Sequence, residues 1–193
     1  MSVYRVNEIF YSLQGEGFWT GTPMVFVRFS GCNLRCPFCD TDHREGRPML
    51  AEEIVQAVRA TGSCKRVCLT GGEPLLQLDG ELVDALHSAG YQLHLETNGT
   101  REVPEGLDWV TLSPKEDVVV NGKVVLEKAD ELKLVLAPGI EPAKWADFPA
   151  QWHFLQPCAA PDGSANTAET VAYIQAHPQW RLSLQTHKLL NIR

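Results

Sequence analysis

The sequence lacks an apolar stretch long enough to cross a bilayer, which takes about 20 residues in a helix. Residues 1–8 lack the apolar core of a secretory signal peptide. Basic residues are also scarce: 17 Lys and Arg face 24 Asp and Glu, and no basic cluster reaches the size of a nucleic-acid-binding face. We therefore expect a cytoplasmic protein that binds neither a membrane nor a nucleic acid.

Internal repeats, low-complexity segments and linkers are absent too. A chain of 193 residues is long enough for one domain with a sizeable core and short for two, so we predict a single domain over residues 1–193. The chain does have six cysteines. Because thiols stay reduced in the cytosol, these cysteines indicate metal or redox chemistry rather than disulfides.

Short apolar segments recur along the chain and predict a parallel sheet covered by helices. The predicted strands are residues 24–29, 66–70, 92–96, 109–112, 131–135, 152–156 and 181–185. The predicted helices are residues 50–60, 79–89 and 167–177. Gly90 is typical of the residue that ends a helix, and Asn166 with Glu169 predicts a capping box for the third helix.

Two connections are too short or too broken for full helices. Residues 118–125 surround Asn121-Gly122, a strong two-residue turn signal, and predict a β-hairpin. Three prolines and a glycine lie between the strands 131–135 and 152–156, which leaves room for a short helix at most. We therefore predict an α/β fold, an incomplete (β/α) barrel whose abridged second half has few helices and is open on one side.

The segment 31–40 carries Cys32, Cys36 and Cys39, with three and two residues between them and no fourth cysteine close by. A closed structural zinc site needs four ligands, and a 4Fe–4S cluster has four irons that each take one. Three thiolates leave one iron open to react. We interpret the segment as the site of a reactive iron–sulfur cluster; the alternative is a zinc knuckle completed by His43.

Polar segments follow the predicted strands, and in a barrel of this kind the carboxyl ends of the strands form the active site. These segments are residues 70–74, 96–99, 113–115, 156–157 and 185–188. Gly71-Gly72 lets backbone approach a ligand, and Lys115 supplies a point charge for a carboxylate. Taken alone, each feature has a plainer interpretation. Gly71-Gly72 would be a turn before a helix, Lys115 a solvated lysine, and Asn98-Gly99 in the segment 96–99 a simple turn.

Two of these features together resemble the radical S-adenosylmethionine (SAM) family. They are the three cysteines, with an aromatic residue before the last, and the segment 70–74 on the next strand. The resemblance implies that the cysteines hold a 4Fe–4S cluster whose fourth iron is chelated by SAM. It implies SAM contacts from Phe38, Asp40, Gly72, Glu73, Ser113, Pro114, Lys115 and Gln156.

The two ends of the chain are more specific. Residues 10–17, 21–23 and 26–28, with Asp40-Thr41 and residues 185–188, resemble the 7-carboxy-7-deazaguanine synthase family of the queuosine and 7-deazapurine pathway. The resemblance implies conversion of 6-carboxy-5,6,7,8-tetrahydropterin to 7-carboxy-7-deazaguanine with loss of ammonia. It also implies a Mg²⁺ ion that touches Thr41 and the substrate carboxylate. The implied substrate contacts are Leu13, Gln14, Gly15, Glu16, Arg28, Thr70, Glu96 and His187.

Residue chemistry agrees with an anionic, planar substrate. Arg28 can hold a carboxylate with two hydrogen bonds, and Gln14 and Glu16 can pair with amide and amino groups. Each residue also has a structural alternative. Arg28 would be a surface ion pair, His187 a satisfied core histidine, and Thr41 a local cap.

Partners and rival functions follow from the same resemblance. We expect a flavodoxin-like reducing partner, and a homodimer because the abridged barrel has an exposed flank. One rival function is a radical SAM activase that makes a glycyl radical in a partner protein. Another is a zinc-binding interaction module.

Cys64, Cys68 and Cys158 lie outside the cysteine segment. Cys64 and Cys68, with three residues between them, allow a second cluster as an alternative. Cys68 lies in an apolar strand, where a cysteine is usually a small buried residue. The role of Cys158 stays open.

We predict that Cys36→Ala abolishes both the absorbance of the iron–sulfur cluster and all SAM cleavage, because one iron loses its thiolate. Visible absorbance after anaerobic reconstitution and 5′-deoxyadenosine formation measure the two effects. A fully active variant would remove Cys36 from the cluster ligands.

Overall fold

A single sheet organises the chain, whose computed structural model describes residues 1–160 and 164–193. Within these residues the sheet has nine strands in the order β3-β1-β2-β4-β5-β6-β7-β8-β9. The strands are β1 Val3–Leu13, β2 Pro23–Phe29, β3 Arg47–Leu50, β4 Arg66–Gly71, β5 Gln92–Thr97, β6 Trp109–Leu112, β7 Ala129–Leu136, β8 Ala150–Pro157 and β9 Arg181–Leu182. Strand β1 is antiparallel to β2 and β3, and every pairing from β2 to β9 is parallel.

The helices are few and concentrate in the first half. They are α1 Ala51–Ala60, α2 Gly80–Ser88, α3 Thr167–Ala176 and α4 Thr186–Leu189, with 3-10 turns at Pro74–Leu76 and Pro142–Trp145. The connections on either side of β7 contain only one such turn. Among the described residues, no helix is both long and apolar enough to cross a bilayer.

The outer face of the sheet is apolar and holds the helices. Ile54 of α1 and Leu82 of α2 are buried in one cluster with Val27, Leu69 and Leu95 of the central strands. A second cluster packs the outer faces of β6, β7 and β8 against Trp145 and Trp180. Burial of these side chains is the main stabilising term for a sheet of this size.

The inner face carries aromatic residues toward the amino ends of the strands. The loop of residues 14–22 closes on itself, since Gly21 N donates to Gln14 O at 2.7 Å. Trp19 from this loop packs edge-on against His94 and Trp109, with ring centroids 4.9 and 5.4 Å away. These rings form a floor. Side chains two residues further along the same strands face a cavity above it.

Most sequence-based predictions of the fold are confirmed. The seven predicted strands and three predicted helices are present with bounds shifted by a few residues, and helix α2 ends before Gly90, whose φ is 81°. The incomplete α/β barrel with few helices in its second half is confirmed as well. Three elements were not predicted: strands β1 and β3, which extend the sheet at its antiparallel edge, and the short helix α4.

The predicted hairpin at residues 118–125 is wrong. Asn121 does adopt the left-handed conformation of a turn, with φ 67°. However, Val124 N donates to Glu116 Oε2 at 3.0 Å and Val125 N donates to Gly99 O at 2.8 Å. Val124 therefore bonds within its own connection and Val125 bonds to the turn after β5, so no strand pairing forms in 118–125.

Two further details differ from the predictions. The last strand stops at Leu182, because Ser183 turns its hydroxyl to Gln156 Oε1 at 2.9 Å. The predicted capping box at Asn166 is wrong as well. Its side chain donates to Leu136 O and accepts from Cys158 N, at 2.8 and 2.7 Å, so it ties the ends of β7 and β8 together instead of capping α3.

We predict that Asp79→Ala lowers the free energy of unfolding by about 1–3 kcal/mol. Asp79 caps α2 by accepting from Leu82 N at 3.2 Å, and it also accepts from the hydroxyl of buried Tyr4 at 2.6 Å. Denaturant unfolding followed by circular dichroism measures the loss. The control is Asp84→Ala on the exposed side of the same helix, and equal effects of the two variants would contradict this role of Asp79.

Candidate functional site

A cavity of about 650 Å³ opens at the carboxyl ends of the parallel strands. It brings together the cysteine segment, the residues after β1 and the ends of β4, β5, β7 and β8. All the site residues predicted from the sequence line it except Glu73 and Pro114. They are Leu13, Gln14, Gly15, Glu16, Arg28, Cys32, Cys36, Phe38, Cys39, Asp40, Thr41, Thr70, Gly72, Glu96, Ser113, Lys115, Gln156 and His187.

The three cysteines of the segment are free thiols that share this cavity. Cys39 N donates to Cys36 O at 3.2 Å, which turns the loop back on itself between these two ligands. Burial raises the pKa of the Cys32 and Cys36 thiols, and the Lys115 ammonium acts in the opposite direction. A bound metal cluster would hold the thiols as thiolates, and the Lys115 charge would help to stabilise them.

The turn after β4 packs directly on the cysteine segment. A Cβ added at Gly72 would lie 2.0 Å from Gly31 O and 3.0 Å from the Cβ of Cys32, so only glycine allows this approach. Glu73 N also donates to Gly31 O at 2.9 Å. Three free thiols beside an exposed glycine backbone form a donor set that fits a 4Fe–4S cluster and a ligand bound next to it.

Glu73 has a different position from the one predicted for a SAM contact. Its buried carboxylate accepts from Thr97 Oγ1 at 2.7 Å and from Asn98 N at 2.8 Å. Burial raises its pKa, and these hydrogen bonds oppose the rise. The side chain therefore joins the turn after β4 to the turn after β5, while the backbone of Gly72 faces the cavity.

Lys115 lies at the end of β6 and points toward the cysteines. Its ammonium donates to Ser113 O at 2.7 Å and to Ser113 Oγ at 2.6 Å. Burial lowers the pKa of Lys115 to about 8. Its positive charge suits a carboxylate ligand, because such a ligand would compensate the cost of burying the ammonium.

Lys133 was missed by the sequence analysis and is the most buried charge in the cavity. Its ammonium donates to Glu16 Oε2 at 2.6 Å and to Glu96 Oε2 at 2.9 Å, and the residue is 3% exposed. Burial raises the pKa of Glu16, but Lys133 outweighs this and leaves the pKa below its usual value. The sequence does contain a signal for this residue. Lys133 stands between Leu132 and Leu134 in strand β7, which is buried between β6 and β8, and a lysine in such a strand is unusual.

The C-terminal segment 185–188 fastens two parts of the site. Thr186 N and Oγ1 both donate to Gly15 O, at 3.0 and 2.8 Å. Gln185 Nε2 donates to Glu16 Oε1 at 2.9 Å and to Asp40 Oδ2 at 3.1 Å. The segment thereby connects the residues after β1 with the cysteine segment.

Arg28 and Thr41 both line the cavity. Arg28 Nε pairs with Glu8 Oε1 at 2.9 Å, so the ion-pair alternative for this residue is present in the structure. Thr41 directly follows Asp40 and faces the same cavity. In residues 1–160 and 164–193, no three His, Cys, Asp or Glu side chains converge on a single metal ion, as a zinc knuckle would require.

The three other cysteines divide between core and cavity. Cys68 is fully buried on the inner face of β4 with Met24 and Phe26, which confirms its interpretation as a small apolar core residue. Burial raises the pKa of its thiol well above the usual value. Cys64 approaches Pro23 O, whereas Cys158 lines the cavity.

Comparison with known proteins decides the family. A Radical SAM superfamily profile matches residues 26–116. A 7-carboxy-7-deazaguanine synthase from Bacteroides thetaiotaomicron is 52% identical over 189 residues, which cover 98% of each chain. The chain belongs to the 7-carboxy-7-deazaguanine synthase family. A family member from Caulobacter vibrioides is 44% identical and is matched over 99% of its length by 98% of this chain.

A solved structure supports the same family. The crystal structure of QueE from Escherichia coli has a TM-score of 0.76 and 31% identity, covering 94% of this chain and 93% of that one. Membership of the radical SAM superfamily implies a 4Fe–4S cluster and SAM as cofactors. The resemblance inferred from the cysteine segment and the two ends of the chain is thus confirmed.

We predict that Gly72→Ala lowers 5′-deoxyadenosine formation from SAM by about tenfold or more, since about 1.4 kcal/mol of misfit corresponds to a factor of ten. The added methyl group collides with Gly31 O and separates the turn from the cysteine segment. Anaerobic SAM cleavage with dithionite is the measurement. Gly80→Ala is the control, because its Cβ meets nothing within 4 Å; equal activities would contradict the close approach.

Proposed function

We propose that this protein is a radical SAM, Mg²⁺-dependent lyase that converts 6-carboxy-5,6,7,8-tetrahydropterin to 7-carboxy-7-deazaguanine with release of ammonia. One observation carries the proposal. The cysteine segment and the family-specific residues 13–16 line one cavity, and Gln185 hydrogen-bonds to Asp40 of the first and Glu16 of the second. A SAM-derived radical formed at the cysteines would therefore arise beside the residues that suit a pterin.

The cofactor half of the cavity rests on Cys32, Cys36 and Cys39 as ligands of the 4Fe–4S cluster. When bound and reduced, the cluster supplies the electron that cleaves SAM to the 5′-deoxyadenosyl radical. Lys115 is suited to the carboxylate of SAM and the Gly72 backbone to its amino group. The further SAM contacts that we propose are Phe38, Asp40, Ser113 and Gln156, while Glu73 and Pro114 support the turns from behind.

The substrate half is rich in paired acceptors and donors. Glu16 and Glu96 present carboxylate oxygens that can accept from the N–H groups of a pyrimidinone ring. Gln14 Nε2 donates to Glu96 Oε1 at 2.8 Å, so the Gln14 amide is held next to the Glu96 carboxylate and would lie beside the same edge of the ring. Arg28 is within the cavity to pair with the substrate carboxylate, and Thr41 offers a hydroxyl to Mg²⁺. Leu13, Gly15, Thr70 and His187 complete the proposed set.

The protein's part in the reaction is to bind, orient and exclude water. The aromatic floor closes the cavity on the side of the strands' amino ends, so that a radical would be shielded from solvent there. SAM and substrate approach from the open mouth, where the C-terminal segment 185–188 holds the cysteine segment in place. Bound SAM would supply the radical that takes the hydrogen from C6 of the pterin, and Glu16 and Glu96 would hold the edge of the pterin ring.

We further propose that residues 1–193 form one domain that works as a homodimer in the cytoplasm, with a flavodoxin-like reducing partner. All six cysteines are free thiols, which agrees with a reducing compartment. Size-exclusion chromatography with light scattering gives the oligomeric state.

The test is anaerobic incubation of reconstituted protein with SAM, Mg²⁺, dithionite and 6-carboxy-5,6,7,8-tetrahydropterin. We expect 7-carboxy-7-deazaguanine and 5′-deoxyadenosine by mass spectrometry, and one 4Fe–4S cluster per chain by iron and sulfide analysis. No deazaguanine product together with a glycyl radical signal in a partner protein would indicate the activase instead. One zinc ion per chain, with no iron or sulfide, would exclude both the proposed lyase and the activase.

We predict that Thr41→Ala raises the Mg²⁺ concentration for half-maximal activity by about tenfold, a loss of about 1.4 kcal/mol in metal binding. The variant lacks the hydroxyl oxygen that a hard cation prefers, but it keeps all three cysteines. A Mg²⁺ titration of product formation measures the change, and visible absorbance checks the cluster. Thr41→Ser, which keeps the hydroxyl, should behave like the parent; an unchanged response in Thr41→Ala would remove Thr41 from the metal site.

A further inference from the structure

Lys133 joins two side chains that come from distant parts of the chain. Glu16 follows β1 and Glu96 lies on β5, yet both carboxylates accept hydrogen bonds from the same ammonium on β7. Each carboxylate keeps a second partner, since Gln185 donates to Glu16 Oε1 and Gln14 donates to Glu96 Oε1. The two carboxylates are thus held in fixed orientations at the cavity wall.

Stability alone does not explain this arrangement. A buried ion pair often contributes no more to stability than well-packed apolar residues of the same size. The inner face elsewhere uses that apolar solution, as the floor of Trp19 and Trp109 shows. The buried Lys133 ammonium is therefore an energetically costly group, and it lies where the carboxylates of Glu16 and Glu96 face the cavity.

The charges around Glu16 show what Lys133 does to it. Glu96 and Glu131 are the acidic groups that face this site, and Lys133, Lys115 and His187 are the basic ones. Burial raises the pKa of Glu131 to about 7, so this third carboxyl group takes up a proton near neutral pH. Without the Lys133 ammonium, Glu16 would be buried beside Glu96 with no cation hydrogen-bonded to it, and a proton would bind more readily to the pair.

We propose that Lys133 is a positioning residue that keeps Glu16 and Glu96 ionised and oriented, so that both accept hydrogen bonds from the N–H edge of a pyrimidinone ring. Lys133 does not touch the reacting atoms. A protonated Glu16 would turn one of its two acceptor oxygens into an O–H donor, so it would accept fewer and weaker hydrogen bonds from the N–H groups of the ring. This inference rests on the proposed function, because that function supplies the ring.

The test compares Lys133→Met and Lys133→Gln with Lys144→Met. Lys144 is a matched control because it also bridges two carboxylates, Glu116 at 2.6 Å and Asp117 at 2.5 Å, but is 44% exposed and lies outside the cavity. For both Lys133 variants we expect the KM for the pterin to rise about tenfold or more, since a buried acceptor pair loses its charged partner. SAM cleavage without pterin should fall less than pterin turnover in the Lys133 variants, because that reaction uses the cysteine side of the cavity, and Lys144→Met should keep both activities.

The pH profile separates positioning from a merely structural role. In the Lys133 variants, kcat/KM should gain an acidic limb that recovers as the pH rises, because Glu16 then has to lose a proton before it can bind the ring. A shift of about 1–3 pH units is expected for the loss of an adjacent opposite charge. Lys133→Arg, which keeps the charge, should lack the new limb, and Lys144→Met should follow the parent.

A measurement without substrate keeps this inference distinct from the proposed function. Carbon-13 NMR titration of the labelled glutamate carboxyl groups gives the pKa of Glu16 in the parent and in both Lys133 variants. A rise in the variants supports the role of Lys133 even if the parent makes no deazaguanine, an outcome that would refute only the proposed function. An unchanged Glu16 pKa, or an equal loss of SAM cleavage, pterin turnover and folding in both Lys133 variants, would overturn the inference.

Discussion

The inner face of the curved sheet has to meet two opposing demands, and the rest of the structure follows from how it does so. Toward the amino ends of the strands it is closed by aromatic rings that pack edge to face and exclude water. Nearer the carboxyl ends it carries charged groups, and a buried charge without a partner is strongly unfavourable. Lys133 and Glu73 meet this demand through hydrogen bonds to other elements: Lys133 to β5 and the loop after β1, and Glu73 to the turn after β5.

Close packing of backbone imposes a second constraint at the mouth. The turn after β4 lies against the cysteine segment at a distance that a side chain at Gly72 would prevent. The N–H groups of Gly72 and Glu73 hydrogen-bond to Phe29 O and Gly31 O, so the turn offers its carbonyl groups to a ligand beside the thiols, without a side chain between them. The apolar helices α1 and α2 hold β4 and β5 from the outer face, so the geometry of the mouth depends on packing at the opposite face of the sheet.

The sequence predicts those parts of the molecule that depend on local patterns. Strand and helix periods locate the sheet, and the spacing of Cys32, Cys36 and Cys39 indicates the cluster loop. Contacts between distant segments escape this kind of analysis. Asn121-Gly122 forms its turn, but the flanking residues do not pair with each other, and Asn166 binds two strand ends instead of its own helix. The position of Lys133 in a buried strand marks it as unusual, but its partners Glu16 and Glu96 come from distant segments and are known only from the folded structure.

The attachment of the C-terminal segment has a consequence for the order in which the molecule assembles. The hydrogen bond from Thr186 to Gly15 closes a loop of 171 residues, and that from Gln185 to Glu16 closes one of 169. Contacts of such long range form late in folding, because chain entropy opposes them until nearer contacts exist. During synthesis on the ribosome, the cysteine segment and the turn after β4 emerge well before residues 185–188. The contact between the cysteine segment and the turn after β4 can therefore form before the residues after β1 are fastened by the C-terminal segment.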